Sequence, residues 1–289
     1  MITQATVADL LSDNTASLTR AEHQLAAVLL DNYPLSGLGT ITELAAKANV
    51  SAPTVMRLVQ KLGFKGFADY QAALRHELEA RISSPIAKQD SWARAAPEGH
   101  ILNRFTEAVI GNIRQTLSHI DHTSFDEACA LMARHDRHLY IAGGRITRML
   151  ADHLFLHMQV IRPGVTRIEA SANTWPHYLL DMNEGDVLTV FDIRRYEVST
   201  LRLTEMAAER GARIILFTDQ WRSPAARIAD HCFPVHISVP SAWDSTAAMV
   251  LLVETMVSAV VTRTWDTTRV RMEGLEVMFD STGLFRKFK

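Results

Sequence analysis

Cysteine is scarce in this 289-residue chain, and the two that occur, Cys129 and Cys232, stand far apart. Neither belongs to a CxxC or Cys/His spacing. That excludes a disulfide scaffold and a cysteine-built zinc site, and it fits a reducing cytoplasm. A basic-then-apolar opening is missing as well. MITQATVADLLSDNTASL carries acids early, so no secretory signal is expected. Long apolar runs are absent: the most apolar stretch, residues 246–261, is short for a bilayer crossing and contains Glu254. It is expected as a helix buried in the core and at a subunit interface, with no membrane as partner. Excess positive charge is lacking too. Thirty Lys and Arg against thirty-two Asp and Glu leave a net charge of −2, which excludes a globally basic nucleic-acid binder. Only a local basic surface remains to be sought. No internal repeat or low-complexity tract is found.

What the chain has is an ordinary globular composition, 47% apolar and 21% charged, over a length that suits one large or two modest domains. The first 80 or so residues read as helices only. Leu25, Val28 and Leu29 lie at helical spacing, and Pro34 follows where that segment ends. TITE opens a second helix, Thr40 as N-cap and Glu43 completing a capping box, with Ile41, Leu44, Ala45 and Ala48 on one face. Asn49, Val50 and Ser51 turn the chain into a third helix with Val55, Leu58, Val59 and Leu62 inward. Pro53 sits in its first turn and Gly63 stops it. Residues 81–100 are richer in Ser, Pro and Ala, lose periodicity, and are expected as a linker, partly helical near its ends. After a long helix at about 101–119 the pattern changes. Short apolar runs at 139–142, 166–169, 187–192, 213–218 and 232–237 alternate with helical segments, which implies βαβ units and a parallel sheet.

Two short amphipathic helices separated by three residues form the geometry that lays a second helix in a major groove. The outward face of that helix carries Ala52, Pro53, Thr54, Arg57 and Lys61. Small and hydroxyl side chains approach base edges there, and Arg57 suits a guanine edge or a phosphate. Lys47, Arg57, Lys61 and Lys65 fall within residues 44–68 with no acid among them, whereas residues 1–81 hold seven basic and eight acidic side chains. Confined positive charge is what phosphate positioning needs. Lys47, Ser51, Ala52, Pro53, Thr54, Arg57, Lys61 and Lys65 are therefore candidate contacts to a double-stranded DNA operator. A generic helical hairpin with a solvated lysine face is the competing reading.

ITELAAKANVSAPTVMRLVQKLGFKGFADYQAAL resembles the N-terminal domain of the RpiR family of bacterial transcriptional regulators. The likeness rests on the ELA…VS.aTV.R core and the trailing element at 61–70, and it covers about 15–80. It implies that a SIS (sugar isomerase) domain follows, a doubly wound α/β fold that binds phosphosugars. DVLTVFDIRRYEVSTLRLTEMAAERGARIILFTDQWRSPAARIAD resembles that domain, and LYIAGGRITRMLADHL resembles its first strand, phosphate loop and helix. The expected architecture is thus an all-α helix-turn-helix domain at 1–80, a linker at 81–100, and a doubly wound parallel-sheet α/β domain of SIS type at 101–289 for effector binding and dimerisation. Both loops follow a strand and open a helix, where amide donors favour an anion.

The chain departs from the family at the ligand-contacting positions. In the first loop Gly143 and Gly144 precede Arg145, Ile146, Thr147 and Arg148; Thr147 keeps a hydroxyl, and two family glycines have become arginines. In the second, the family's hydroxyl cradle is replaced by Asp192, Ile193, Arg194, Arg195, Tyr196 and Glu197. Three readings of the arginines stand side by side: they bind a more anionic or carboxylate-bearing effector, they pair with Asp192, Glu197 or Asp152, or they face a partner subunit. Tyr196 would stack on a sugar or cap the core. Asp244 and Ser245 precede the last apolar helix, as an anion site or as a plain N-cap. The expected effector residues are Gly143, Gly144, Arg145, Thr147, Asp192, Arg194, Arg195, Tyr196, Glu197, Asp244 and Ser245. His153 and His157 are spaced i, i+4, but no third ligand is evident, so no metal and no cofactor is expected. Arg286, Lys287 and Lys289 read as a solvated basic tail. The leading function is a ligand-responsive regulator, not an enzyme, working as a homodimer or homotetramer on a pseudo-palindromic operator. The alternatives are an aldose–ketose isomerase using Glu197 or His177, and a regulator that has lost its effector.

Overall fold

Helix starts in the N-terminal region repeat one chemical device. Thr6, Thr19 and Thr40 each accept a hydrogen bond from the amide three residues on, and Asp9, Glu22 and Glu43 reach back to the threonine amides. These capping boxes open α1 (Val7–Asp13), α2 (Arg20–Asp31) and α3 (Ile41–Lys47). Ser51 caps α4 (Ala52–Lys61). Between α3 and α4 the Asn49 and Val50 amides return to the Ala46 and Ala45 carbonyls, with Asn49 in the left-handed region at φ 49°. Gly63, at φ 91°, ends α4 as only a residue without Cβ does at no strain. α5 (Phe67–Ile82) follows, and the rings of Phe64 and Phe67 each lie 5.6 Å from that of Tyr70. Leu25, Leu44, Val55, Leu58, Tyr70 and Leu74 make one apolar core, closed by Val7 and Leu11 of α1.

The structure, a computed structural model, describes residues 5–95, 99–169, 171–283 and 285; the basic tail Arg286, Lys287 and Lys289 lies outside the described residues. The expected linker at 81–100, read as partly helical near its ends, is helical over most of its described length. Ser84 accepts from the Ala87 amide, Pro85 stands at the first helical position, and α6 runs Pro85–Ala95. It carries no apolar stripe to betray it, because part of its packing runs through the ammonium of Lys88.

α7 (Ile101–Ser118) and α8 (His122–Ala133) lead into β1 (Leu139–Gly143), α9 (Arg148–Ile161), β2 (Val165–Arg167), α10 (Trp175–Asp181), β3 (Val187–Asp192), α11 (Val198–Glu209), β4 (Arg213–Asp219), β5 (His231–Val235), α12 (Ala247–Arg263) and α13 (Trp265–Thr282). The five strands are parallel in the order β2-β1-β3-β4-β5, each within two residues of its expected span. Helices cover both faces, so interior strands are apolar on both sides; all six residues of β3 are buried. One face packs with α8, α9 and α12 through Met132, Leu154, Phe191, Phe217 and Met256. The other packs with α10 and α11 through Trp175, Leu188, Leu203 and Leu216. Among the described residues no single helix is long and apolar enough to cross a membrane.

Glu77 is a carboxyl buried against the N-terminal core, accepting from the Val7 amide at 2.8 Å and from the Tyr33 hydroxyl. Burial raises its carboxyl to about 7, and the hydrogen bonds from Tyr33 and Val7 offset only part of that. A raised carboxyl stabilises the fold fully below its unfolded value and loses that contribution as pH rises through the folded one. Glu77→Gln is therefore expected to gain stability relative to wild type between about pH 5 and about pH 8. Urea midpoints at the two pH values read this, and a pH-independent difference would contradict it.

Candidate functional site

β1 and β3 are neighbours whose following helices lie on opposite faces of the sheet, so their carboxyl ends open a crevice. A cavity of about 370 Å³ occupies it, floored by residues 144–147, 192–195 and 197 and walled by residues 242–244 and by Ser83, Pro85 and Lys88. The first loop is tied down by Thr147, which accepts from the Gly144 amide at 2.8 Å and donates to the Phe191 carbonyl at 2.7 Å. Its one hydroxyl proton is thereby committed. A Cβ on Gly143 would lie 2.7 Å from the Thr147 carbonyl oxygen, so the turn needs glycine. At Gly144 a Cβ would lie 2.8 Å from the Glu197 carboxylate. Glu197, at the start of α11, crosses the crevice and accepts from the Arg145 amide at 2.8 Å. A carboxylate of the chain itself rests on the loop where amide donors favour an anion.

Arg194 and Arg195 differ in kind. The Arg194 side chain is 4% exposed; its Nε donates to Asp244 Oδ2 at 2.9 Å, one terminal nitrogen to Asp244 Oδ1, and the other to the Ala80 carbonyl near the end of α5. Its guanidinium lies over the Trp221 ring, 4.4 Å from the centroid. Lys88 reaches the same Asp244 at 2.5 Å. Burial pushes the Asp244 carboxyl up, but Arg194 and Lys88 more than offset this and hold it below the usual range. Ion pairing thus describes Arg194, through Asp244 rather than Asp192, Glu197 or Asp152. Asp152 instead faces Arg148 at 3.7 Å and Arg167 at 3.0 Å. Arg145 and Arg195 are exposed, line the cavity, and have no carboxylate partner among the described residues.

Three other expectations are corrected. Tyr196 does not line the cavity: its hydroxyl donates to Asp219 at 2.7 Å and the Arg81 guanidinium covers its ring at 4.8 Å, so the ring belongs to the seam with α5 and is no platform for a sugar. Gly143 and Ser245 also stand outside the lining; Ser245 accepts from the Ala247 amide at 3.3 Å in the first turn of α12. Asp244 is no N-cap, since its carboxylate is taken by Arg194 and Lys88. Asp192 lies on the floor, where burial lifts its carboxyl to about 7, with the Ser223 hydroxyl offsetting part and Asp219 and Glu197 adding. Sequence reasoning missed Asp219 and Lys88. Asp219 accepts from the Arg194 amide at 2.5 Å and the Trp221 amide at 2.9 Å, shaping the loop after β3. Its signal was a carboxylate ending a strand at the same sheet edge; Lys88, inside an apparent linker, had none.

On α4, Ser51, Ala52, Pro53 and Arg57 are exposed, as are Lys47 on α3 and Lys65 beyond Gly63. One expected contact, Thr54, turns away, and another, Lys61, is tied to its own domain. Thr54 is 5% exposed, with its hydroxyl bonded to Ser51 and Arg57. Lys61 is held by Glu22 at 2.7 Å and by the Ser17 carbonyl at 2.9 Å. Thr54 lies on the buried stripe beside Leu58 and meets protein rather than a groove, whereas Lys61 stays exposed while paired with Glu22.

Arg194→Ala strips a buried carboxylate of its partner and is expected to cost about 3–5 kcal/mol. Arg195→Ala, at an exposed position, should fall within about 0.5 kcal/mol of wild type. Chemical denaturation reads both, and equal effects would refute the division between the two arginines.

Two family models match the chain: the helix-turn-helix domain of the rpiR family over residues 5–81 and the SIS domain over residues 132–259. The HTH-type transcriptional regulator RpiR of Escherichia coli is 26% identical over 228 residues, covering 75% of this chain and 72% of that protein. The sugar isomerase domain of an RpiR transcription factor from Sphaerobacter thermophilus superposes with a TM-score of 0.56 at 22% identity, over 61% of this chain and 97% of that one. The Vibrio vulnificus NanR protein complexed with ManNAc-6P does so with a TM-score of 0.54 at 17% identity, over 97% of this chain and 100% of that one. These two structural likenesses establish the fold. With both models matched in order, and a parallel sheet following a helical domain as they require, the chain belongs to the RpiR family of helix-turn-helix transcriptional regulators with a C-terminal SIS domain.

Proposed function

We propose that the chain is a sequence-specific DNA-binding regulator, acting in the cytoplasm as a homodimer or homotetramer, whose SIS domain responds to a small sugar-derived anion. The observation that carries the reading is α4. Its apolar stripe is buried, while Ala52, Pro53 and Arg57 face outward beside Lys47 and Lys65. Short side chains at a helix start with flanking cations suit a groove lined by phosphates. A dimer would set two such helices about 34 Å apart.

For the effector, the placement of charge favours an anion held differently from the family's usual one. The Glu197 carboxylate already rests on the Arg145 amide, and Thr147 has no proton to offer, so a phosphate finds the first loop filled. The guanidinium groups of Arg145 and Arg195 take over as donors, and their planar forks suit a carboxylate or a phosphate. The NanR protein of similar fold is complexed with ManNAc-6P, which supports a sugar-derived ligand. An isomerase would need a group free to shuttle a proton beside the anion. Glu197 is engaged, and His177 is exposed on α10 outside the cavity lining. Asp192 argues the other way, titrating at about 7, but Ser223 holds it at the floor. The non-catalytic reading comes first.

Arg57→Ala is expected to weaken binding to DNA selected from a random-sequence pool by about 1–3 kcal/mol, with the urea midpoint unchanged. Unaltered affinity across a salt titration would remove α4 from the interface. In a thermal-shift panel of sugar phosphates and sugar acids, a compound that stabilises wild type should fail with Arg195→Ala, and Glu197→Ser should newly admit phosphates. If no compound stabilises wild type, the effector half of the reading falls and the DNA half stands.

A further inference from the structure

A second polar cluster sits between the helix-turn-helix domain and the SIS domain. Asp9 and Asp13 are four residues apart on α1, hence on one helix face. His119 directly follows α7, and His236 directly follows β5. His236 Nε2 stands 3.3 Å from the Asp9 carboxylate, and His119 Nε2 stands 3.0 Å from Asp13 Oδ1. The donor atoms of Asp9, His119 and His236 all lie within 4.8 Å of one another, and no other set of three does so among the described residues. His153 and His157, the pair suggested by sequence spacing, have Glu254 3.6 Å from His153 but make no such set.

The hydrogen bonding of His119 points to a cation. Its Nδ1 lies 2.7 Å from the Gln115 backbone carbonyl, which only accepts, so the ring proton belongs on Nδ1. Nε2 of the neutral ring then turns a lone pair on the Asp13 carboxylate at 3.0 Å, an arrangement that repels unless positive charge stands there. A second ring proton or a metal ion supplies that charge. Geometry favours the metal. Ligands at about 2.0–2.1 Å from a tetrahedral zinc are about 3.3 Å apart, and the separations here, 3.0 and 3.3 Å, lie at or just below that. A carbonyl gripping Nδ1–H is also the outer contact that fixes metal-ligating histidines. Nδ1 of His236 is buried without a hydrogen bond, so turning its Nε2 from Asp9 to an ion breaks no second contact.

We propose that Asp9, His119 and His236, with Asp13 beside His119, form a site for zinc or a neighbouring first-row divalent ion, fastening α1 to the SIS domain. Two imidazoles and two carboxylates suit that class of metal better than magnesium or calcium. Because the ligands come from both domains, the ion binds one arrangement of the two. Metal and DNA therefore influence each other by linkage, separately from the effector cavity.

The test uses the full chain, stripped with a chelator and titrated with Zn2+ and with Co2+ as a spectroscopic probe. One Zn2+ per chain is expected, with a rise in melting temperature and, for Co2+, the visible absorption of a tetrahedral site. His119→Ala and His236→Ala should each weaken Zn2+ binding about 10-fold or more, whereas a His153→Ala/His157→Ala variant keeps it. Asp13→Asn, at an exposed position that the fold does not need, should weaken it as well. No saturable Zn2+ binding by wild type would mean that protons alone fill the seam and would overturn the proposal. Binding that survives both seam histidine variants would overturn it equally.

Discussion

Arg194 ties together three parts of the molecule that are remote in sequence: the loop after β3, the segment before α12, and the end of α5 in the helix-turn-helix domain. A guanidinium so nearly buried demands partners, since an unpaired interior charge costs several kcal/mol. Asp244 supplies two acceptors and the Ala80 carbonyl a third. That carbonyl belongs to the last turn of α5, where helix carbonyls lack a backbone partner, and the Ser83 hydroxyl also donates to it at 3.0 Å. A residue of the loop after β3 thus contributes to the end of the helix that leaves the N-terminal domain, and Lys88 of α6 closes on the same carboxylate. The cavity and the base of α5 share their charges and cannot be rearranged independently.

Around this centre the cavity divides into internally satisfied groups and open ones. Glu197 is bound to the Arg145 amide, Thr147 to the Phe191 carbonyl, and Asp219 to the backbone of the loop it shapes. Arg145 and Arg195 remain facing solvent. The cavity therefore lies at the switch point of a doubly wound sheet, and the open donors on its wall are guanidinium groups. Further contacts hold the domains together: Arg227 donates to the Asp31 carbonyl at 2.5 Å, and Arg81 lies over Tyr196.

Much of this architecture was legible because its causes are local. Thr40 with Glu43, and Ser51 before Pro53, start helices through contacts three residues long. The run 187–192 reads as a doubly covered strand because its apolar residues are continuous, and the glycine pair after β1 marks a tight strand-to-helix turn. Charged and amphipathic residues were misjudged wherever their partner lay elsewhere. Lys61 is exposed as its helix face suggests, but its partner Glu22, 39 residues away in the chain and next to it in space, was not foreseen. Arg194 was given three carboxylates by proximity in sequence or motif and chose a fourth, 50 residues on. α6 was passed over because a helix whose packing includes a lysine ammonium has no apolar period to read.

The sequence by itself determined the order of helices and strands, the helix-turn-helix and its basic neighbourhood, and the two loops that meet at the edge of the sheet. Capping, turn chemistry and hydrophobic period act over a few residues and need no knowledge of the rest. Only the tertiary structure decided which of the loop charges are already answered within the chain and which face outward. Ion pairs form by proximity across packed elements, so their partners follow from the arrangement of the layers and not from spacing along the chain.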